Sequence, residues 1–203
     1  MSIRSTLFAL CAAAALACAA SQDGFPREKA AAWDTAFQKG SAAHAAGQYE
    51  EAERQLRQAL EIAQAEQPPG LRTGLALNGL AAISIDRGRF AEADPTLRRA
   101  IALLEAGNAT QSLHYAAALA NAGELALRQD QPAEAEPRFA RAVLIAEAQP
   151  AQPAATPILQ RSLAGLAESM RDQGRGDEAD ALAPRIETLC KKNPSPVCAS
   201  ISR

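Results

Sequence analysis

Small residues recur along this chain at a fixed interval, and that interval limits what the chain can fold into. Ala52, Ala93, Ala135 and Ala179 are separated by 41, 42 and 44 residues, and Gly40, Ala81, Gly123 and Ala167 march in the same three steps. Pro95 and Pro137 also stand 42 apart. Two sets of positions in step mean one structural unit laid down four times, and such a unit buries its apolar face only by stacking on its neighbour. The unit is clearest in LNGLAAISIDRGRFAEADPTLRRAIAL, from Leu77 to Leu103. Leu77, Leu80, Phe90, Leu97 and Ile101 fall at helical spacing on either side of a turn at Arg87-Gly88, which predicts two helices folded back on each other. Ala81, Ala93 and Ala100 lie where those helices touch. With 48% apolar but only 4% aromatic residues, the core has to come from close helix approach. No alternating strand of useful length occurs, so the class is all-α.

Proline and glycine mark the boundaries. Pro26 suits the first turn of a helix, where its missing N–H costs nothing. The segments Gln67-Pro68-Pro69-Gly70, Gly107-Asn108-Ala109-Thr110 and Gln149-Pro150-Ala151-Gln152-Pro153 separate four pairs, expected at about residues 30–66, 71–105, 111–148 and 156–190. Thr156-Pro157 reads as an N-cap followed by proline at the first helical position. Pro184 falls inside the last helix, where an interior proline costs about 3 kcal/mol or more, so this helix is expected to kink or stop short.

Residues 1–20 stand apart from the repeats, which occupy 21–190. Arg4 supplies a short positive region, Leu7 to Leu16 an apolar core, and Ala17-Cys18-Ala19-Ala20-Ser21 a small-residue exit. This is the pattern of a secretory signal peptide, too short for a membrane span. Two processing readings stand side by side. Cleavage after Ala19 or Ala20 gives a soluble periplasmic protein. A lipobox-like end at Leu16-Ala17-Cys18 instead makes residues 1–17 the signal and Cys18 the lipidated first residue. The protein is therefore expected to be exported, either periplasmic or an outer-membrane lipoprotein facing the periplasm, meeting a membrane only through a lipid on Cys18. In that oxidising compartment Cys190 and Cys198 are expected to close a disulfide in the tail, residues 191–203, stabilising by about 2–3 kcal/mol. A metal or redox pair is the weaker reading, because no histidine lies nearby and C-x-x-C is absent.

The search for chemistry returns little. His44 and His114 have no histidine or cysteine at helical spacing, and no nucleophile elbow, zinc-protease motif, phosphate loop or dinucleotide fingerprint occurs. No cofactor, metal or catalytic residue is expected. The acid pairs Glu50-Glu51, Glu134 with Glu136, and Asp177-Glu178 open second helices, where negative charge complements the helix dipole. Arg175-Gly176-Asp177 spells an adhesion tripeptide at a turn, with nothing around it to support that role. The formal charge of −2 comes with no basic stripe, so nucleic acid is not expected as a partner.

The stretches Leu77-Asn78-Gly79-Leu80-Ala81, Gly88 to Pro95 and Leu97 to Ile101 resemble the tetratricopeptide repeat family, in its longer spacing of kinesin-light-chain type. The likeness continues in Leu119 to Gly123, Ala133 to Pro137 and Phe139 to Val143. It implies a right-handed α-solenoid of four stacked helix-turn-helix repeats, whose first helices line a concave groove taking a peptide or helix of a protein partner. Mapped by repeat, that groove holds Gln38, Asn78, Asp86, Asn121, Glu124, Arg128, Arg161, Glu168 and Asp172. Asn78 and Asn121 offer a donor and an acceptor to a peptide backbone, and are equally well read as solvated positions. Leu75, Ile85 and Leu127 either add apolar patches to the groove or belong to the core. Family members that clamp an acidic C-terminus do so with several basic residues. Here Arg128 and Arg161 are opposed by four carboxylates, so that specificity is not implied. The expected function is a non-enzymatic interaction scaffold in a bacterial envelope, with a self-assembling structural subunit as the alternative.

Overall fold

In the computed structural model, residues 25–66, 69–195 and 198 are described. Residues 1–20, read above as a signal peptide, with Cys18, and the rest of the tail lie outside them. The chain divides into two compact units at Pro69-Gly70.

The first unit is one helical hairpin, α1 (Arg27–Ala45) and α2 (Tyr49–Ala63). Trp33 stacks on Phe37 with ring centroids 4.7 Å apart. Close approach does most of the rest: a Cβ on Gly40 would lie 2.7 Å from Leu56 Cγ, and Ala36, Ala43, Ala52, Ala59 and Ala63 are buried around that contact.

The second unit contains α3 (Leu71–Asp86), α4 (Phe90–Ala106), α5 (Leu113–Arg128), α6 (Pro132–Glu147), α7 (Ala155–Asp172), α8 (Gly176–Asp180) and α9 (Ala183–Lys192). From α3 to α8 each helix packs on the next, α9 packs back on α7, and first helices also pack on first helices, α3 on α5 and α5 on α7. Among the described residues there is no strand. The all-α helical-hairpin architecture expected from the period is the one present.

The turns repeat as strictly as the marker alanines. Gln48, Arg89, Gln131 and Arg175 each donate their backbone N–H to the carbonyl five residues back, on Ala43, Ser84, Ala126 and Met170, at 2.7–2.9 Å. Inside each of these bonds Gly47, Gly88, Asp130 and Gly174 donate to His44, Ile85, Leu127 and Arg171, all at 2.9 Å. This double bond pattern satisfies the last carbonyls of a helix and needs a left-handed residue at its centre. Three of those residues are glycine, with φ of +71, +72 and +76; the fourth is Asp130, at +58.

Phe139 is the main aromatic in the core of the second unit and is fully buried. It lies between two glycines of neighbouring first helices. A Cβ on Gly123 would sit 2.8 Å from its ring, and one on Gly165 would sit 2.3 Å from it. Ala116, Leu119, Ala120, Ala126, Ala135, Ala142, Ile145 and Leu166 complete this cluster. Leu75 and Ile85 are buried at 7% and 3% exposure, and Leu127 packs on the Phe139 cluster, so all three belong to the core and none to an apolar groove.

Two expectations about the last repeat meet different outcomes. Pro184 does interrupt the helix: α8 ends at Asp180, and a new helix, α9, opens with proline in its first turn. Thr156 is not the N-cap of α7. The helix starts at Ala155, behind a turn in which Ala155 N–H bonds the Gln152 carbonyl at 2.9 Å. Pro157 is thereby moved further into the first turn, where its N–H is still not required. Pro95 and Pro137 lie inside α4 and α6 without ending them. The carbonyls four residues back, which lose that N–H partner, belong to Ala91 and Ala133, both exposed residues. Cys190 and Cys198 form the expected disulfide, with Cα atoms 5.7 Å apart. The loop it closes is fastened to the repeats by Gln160, a buried side chain on α7 whose Nε2 donates to the Asn193 carbonyl at 2.7 Å.

Candidate functional site

Of the nine candidate positions, Gln38 belongs to the first unit, where it is exposed on α1. The other eight lie on three first helices of the second unit. Asn78 and Asp86 are eight residues apart on α3; Asn121, Glu124 and Arg128 are spaced three and four apart on α5; Arg161, Glu168 and Asp172 are spaced seven and four apart on α7. Those intervals keep each set on one face of its helix. Because the three helices pack side by side, the faces join.

The middle of this surface is tied together by the protein itself. Asn121 Nδ2 donates to Asn78 Oδ1 at 2.9 Å, and Asn121 is 5% exposed. The two asparagines are therefore not both open to a guest: Asn121 spends one of its two amide hydrogens holding α5 to α3. Arg161 Nη2 reaches back to the Ala117 carbonyl at 3.4 Å, a second tie between α7 and α5. Burial lowers the Arg161 pKa, opposed by the negative charges of Glu124 and Asp86. An arginine remains charged despite such a shift, so a guanidinium with donors to spare stands at this end of the surface.

The other end is densely charged. Arg128 Nε donates to Glu124 Oε1 at 2.8 Å. That bond, with Glu124, Glu168 and Asp86 charge nearby, raises the arginine pKa. Glu168 is shifted upward as well, first by desolvation and then by the like charges of Glu124 and Asp172. Asp86, Arg128 and Asp172 are the terminal residues of α3, α5 and α7, so one charged side chain per repeat stands at the same level.

Residues outside the candidate set also bridge repeats. Arg175 Nη1 donates to both Glu136 oxygens at 2.8 and 2.7 Å, and its other nitrogens bond Glu178 at 2.7 Å. The Gln173 amide donates to Glu136 at 2.8 Å. The arginine of the Arg-Gly-Asp tripeptide is thus committed to joining α6 to the last turn. The signal for it in the sequence was an acidic residue early in one second helix and a basic residue at the following turn. Among the described residues, no group of three or more His, Cys, Asp or Glu side chains is placed to hold a metal ion, and no helix is long and apolar enough to cross a membrane.

Stacked helical hairpins whose first helices share one polar face define a repeat protein of the protein-interaction class. The tetratricopeptide repeat pattern matches residues 30–106 and 72–148, and again residues 160–183. The chain belongs to the tetratricopeptide repeat family. Members of that family generally mediate protein–protein interaction. No curated protein sequence matches the chain. Among solved structures it is similar to aspartyl phosphate phosphatase F from Bacillus subtilis, at 19% identity and a TM-score of 0.66, covering 84% of this chain and 43% of that one. It is similar to BtubC (BKLC) from P. vanneervenii at 20% identity and a TM-score of 0.58, covering 74% of this chain and 60% of that one. A kinesin light chain from Podosopora anserina with nearly identical TPR-like repeats gives 21% identity and a TM-score of 0.55, with 80% and 77% covered. The chain spans less than half of the first of these and three-fifths of the second. At such identities the shared property is the fold.

Proposed function

We propose that this chain is a non-catalytic adaptor that holds a peptide or helix of a protein partner along the shared face of α3, α5 and α7, in a bacterial cell envelope. The observation that carries the proposal is the convergence of eight polar side chains from three successive first helices on one surface, in a family that generally works by binding proteins. Asn121 and Arg161 keep unused N–H donors there, suited to the carbonyls of a bound backbone. The envelope reading draws on the signal-like segment, with Cys18 as a lipid attachment point, and on the Cys190–Cys198 disulfide, a bond characteristic of oxidising compartments. Self-assembly is the weaker reading. Leu144, 59% exposed on α6, is a large apolar side chain on the outer helices, but single exposed leucines are ordinary on protein surfaces.

Site-specific photo-crosslinking in the native envelope tests this. A crosslinker at Asp86 or Arg128 should capture one protein partner, and the same crosslinker at Arg98 or Arg138 on the outer helices should not. Arg128→Glu should reduce capture while leaving the helical spectrum intact. Capture from the outer positions alone would move the site elsewhere, and capture of a second copy of the chain would favour self-assembly.

A further inference from the structure

We propose that the second unit carries a built-in joint: the pair α3–α4 swings as one body against α5 to α9, pivoting about the Asn78–Asn121 bond and opening or closing a cleft between α4 and α6. Such a joint needs no guest in the groove and so stands apart from the function proposed above. The seam between α4 and α5 differs from its counterpart one repeat later, between α6 and α7. At the later seam α6 packs on α7 as fully as on its own partner α5, whereas at the earlier one α4 packs on α5 far less than on α3.

The residues at matching positions account for the difference. Phe139 and Gly165 correspond, 42 and 44 residues earlier, to Leu97 and Asn121. Gly165 lets the Phe139 ring lie against α7 so closely that an added Cβ would be 2.3 Å from it. The earlier seam has a smaller side chain on α4 and an asparagine on α5, and that asparagine turns to Asn78 of α3, to which it donates at 2.9 Å. The outer edge repeats the contrast. Glu136 accepts two bonds from Arg175, at 2.8 and 2.7 Å, and one from Gln173 at 2.8 Å, which clamps α6 to the following turn. The matching trio is Asp94, Gln131 and Gln129. There the acid is one methylene shorter, an amide replaces the guanidinium, and Asp94 pairs with Arg98 of its own helix. In place of a clamp there is a cleft of about 410 Å³, lined by Asp94 and Leu97 of α4, Leu125 and Gln129 of α5 and Glu134 of α6.

The bonds across the earlier seam lie where an axis needs them. Tyr115 Oη donates to Glu105 Oε1 at 2.7 Å beside the α4–α5 connection, and the Asn78–Asn121 bond joins the middles of α3 and α5. The cleft lies at the far end, where α4 and α6 begin and α5 finishes. A seam clasped at one end and open at the other can turn about the clasp, whereas a close-packed seam clamped at its outer edge moves as one piece. Asp86 and Arg128 are the terminal residues of α3 and α5 at that open end. The swing therefore changes the spacing between these two helices on the shared face and leaves that between α5 and α7 as it is.

Double electron–electron resonance on the full chain tests the joint, with nitroxides coupled to azide-bearing residues so that the cysteines are untouched. Ala91, Ala133 and Asp177 are exposed second residues of α4, α6 and α8, at the same place in three repeats. The distance distribution between positions Ala91 and Ala133 should be broader than that between Ala133 and Asp177 by about 1–2 Å, the scale on which helices shift at interfaces. Asp94→Glu combined with Gln131→Arg, which copies the later clamp into the earlier seam, should narrow the first distribution to the width of the second. Equal widths in the parent chain would overturn the inference. So would an unchanged width in the clamped variant when its helical spectrum matches that of the parent; if that variant fails to fold, the parent comparison decides alone.

Discussion

Gly165→Ala places the packing of the second unit under direct test. A methyl group at that position would lie 2.3 Å from Phe139 Cζ and 2.6 Å from Cε1 and Cε2, where carbon atoms normally rest about 3.5–4.0 Å apart. The ring must therefore recede by more than an ångström. It has no free side to move into, because Gly123 of α5 closes the other flank with a Cβ position 2.8 Å from the ring, and Phe139 is fully buried. Helices α5 and α7 have to part instead. Overpacking of this kind costs about 1–3 kcal/mol, and the absence of free space puts this site near the upper end. Alanine returns about 1 kcal/mol through its better helix propensity. The expected net loss is about 2 kcal/mol, or a drop in Tm of about 4–8 °C for a chain of this size. Urea unfolding followed by far-ultraviolet circular dichroism measures it, with Gly74→Ala as the control. There the nearest atoms stand at 3.2–3.5 Å, so the propensity gain should roughly cancel the crowding. Adding Phe139→Leu to Gly165→Ala should recover part of the loss, and the two substitutions should be non-additive by about 1 kcal/mol or more. If Gly165→Ala is as stable as Gly74→Ala, or if the pair is additive, the account of Phe139 seated between two glycines is wrong.

Two carboxylates of opposite character should give opposite pH profiles. Hydrogen bonds from Arg175 and Gln173 hold the Glu136 pKa below the usual range, so its stabilisation is present above the ordinary carboxylate pKa and fades as pH falls through the lowered value. Glu136→Gln should thus be less stable than the parent at neutral pH and indistinguishable from it in acid. Glu168, shifted upward, is destabilising once ionised; Glu168→Gln should be slightly more stable at neutral pH, with the gain vanishing in acid, and a stability loss at neutral pH would contradict the repulsion argued for the groove. For the tail, Cys198→Ser should remove about 2–3 kcal/mol of local stability, read as faster amide exchange in α9; unchanged exchange there would mean that Gln160 and the packing of Ile186 hold the helix unaided.

What the sequence made legible was whatever depends on covalent or steric necessity. Small residues at a fixed interval mark helix contacts, and the four turn bonds ending at Gln48, Arg89, Gln131 and Arg175 advance by the same 41, 42 and 44 residues as the marker alanines. Pro184 was readable because a ring without an N–H leaves a helix one hydrogen bond short; Pro95 and Pro137 are carried inside their helices, whereas α8 stops before Pro184. What escaped depends on three-dimensional register. Asn78 and Asn121 sit three and two residues before their marker positions Ala81 and Gly123, so repeat alignment gives no sign that they bond each other across the stack. The start of α7 escaped for a different reason. A threonine side chain is a good cap, but here the Gln152 carbonyl meets the Ala155 N–H first, and a backbone turn takes the place of the side-chain cap. The pairing of Arg175 with Glu136 spans 39 residues, a separation fixed only by the stacking of one repeat on the next.

Packing and binding in the second unit have one cause. Gly123 of α5 and Gly165 of α7 both close on the Phe139 ring of α6, and the packing this permits brings Glu124 of α5 into the field of Glu168 on α7. Separated helices would dilute the repulsion; closely packed ones cannot. The burial around Phe139 must therefore outweigh an electrostatic cost at Glu168. Binding in the groove is linked to stability, since a ligand that meets only the folded state shifts unfolding by its own free energy. Variants with Glu168 or Asp172 neutralised should then form a series in which greater stability accompanies weaker capture of the partner by a crosslinker at Asp86. A variant that lost stability and binding together would show the carboxylates to be structural, and would separate the groove's charge from its function.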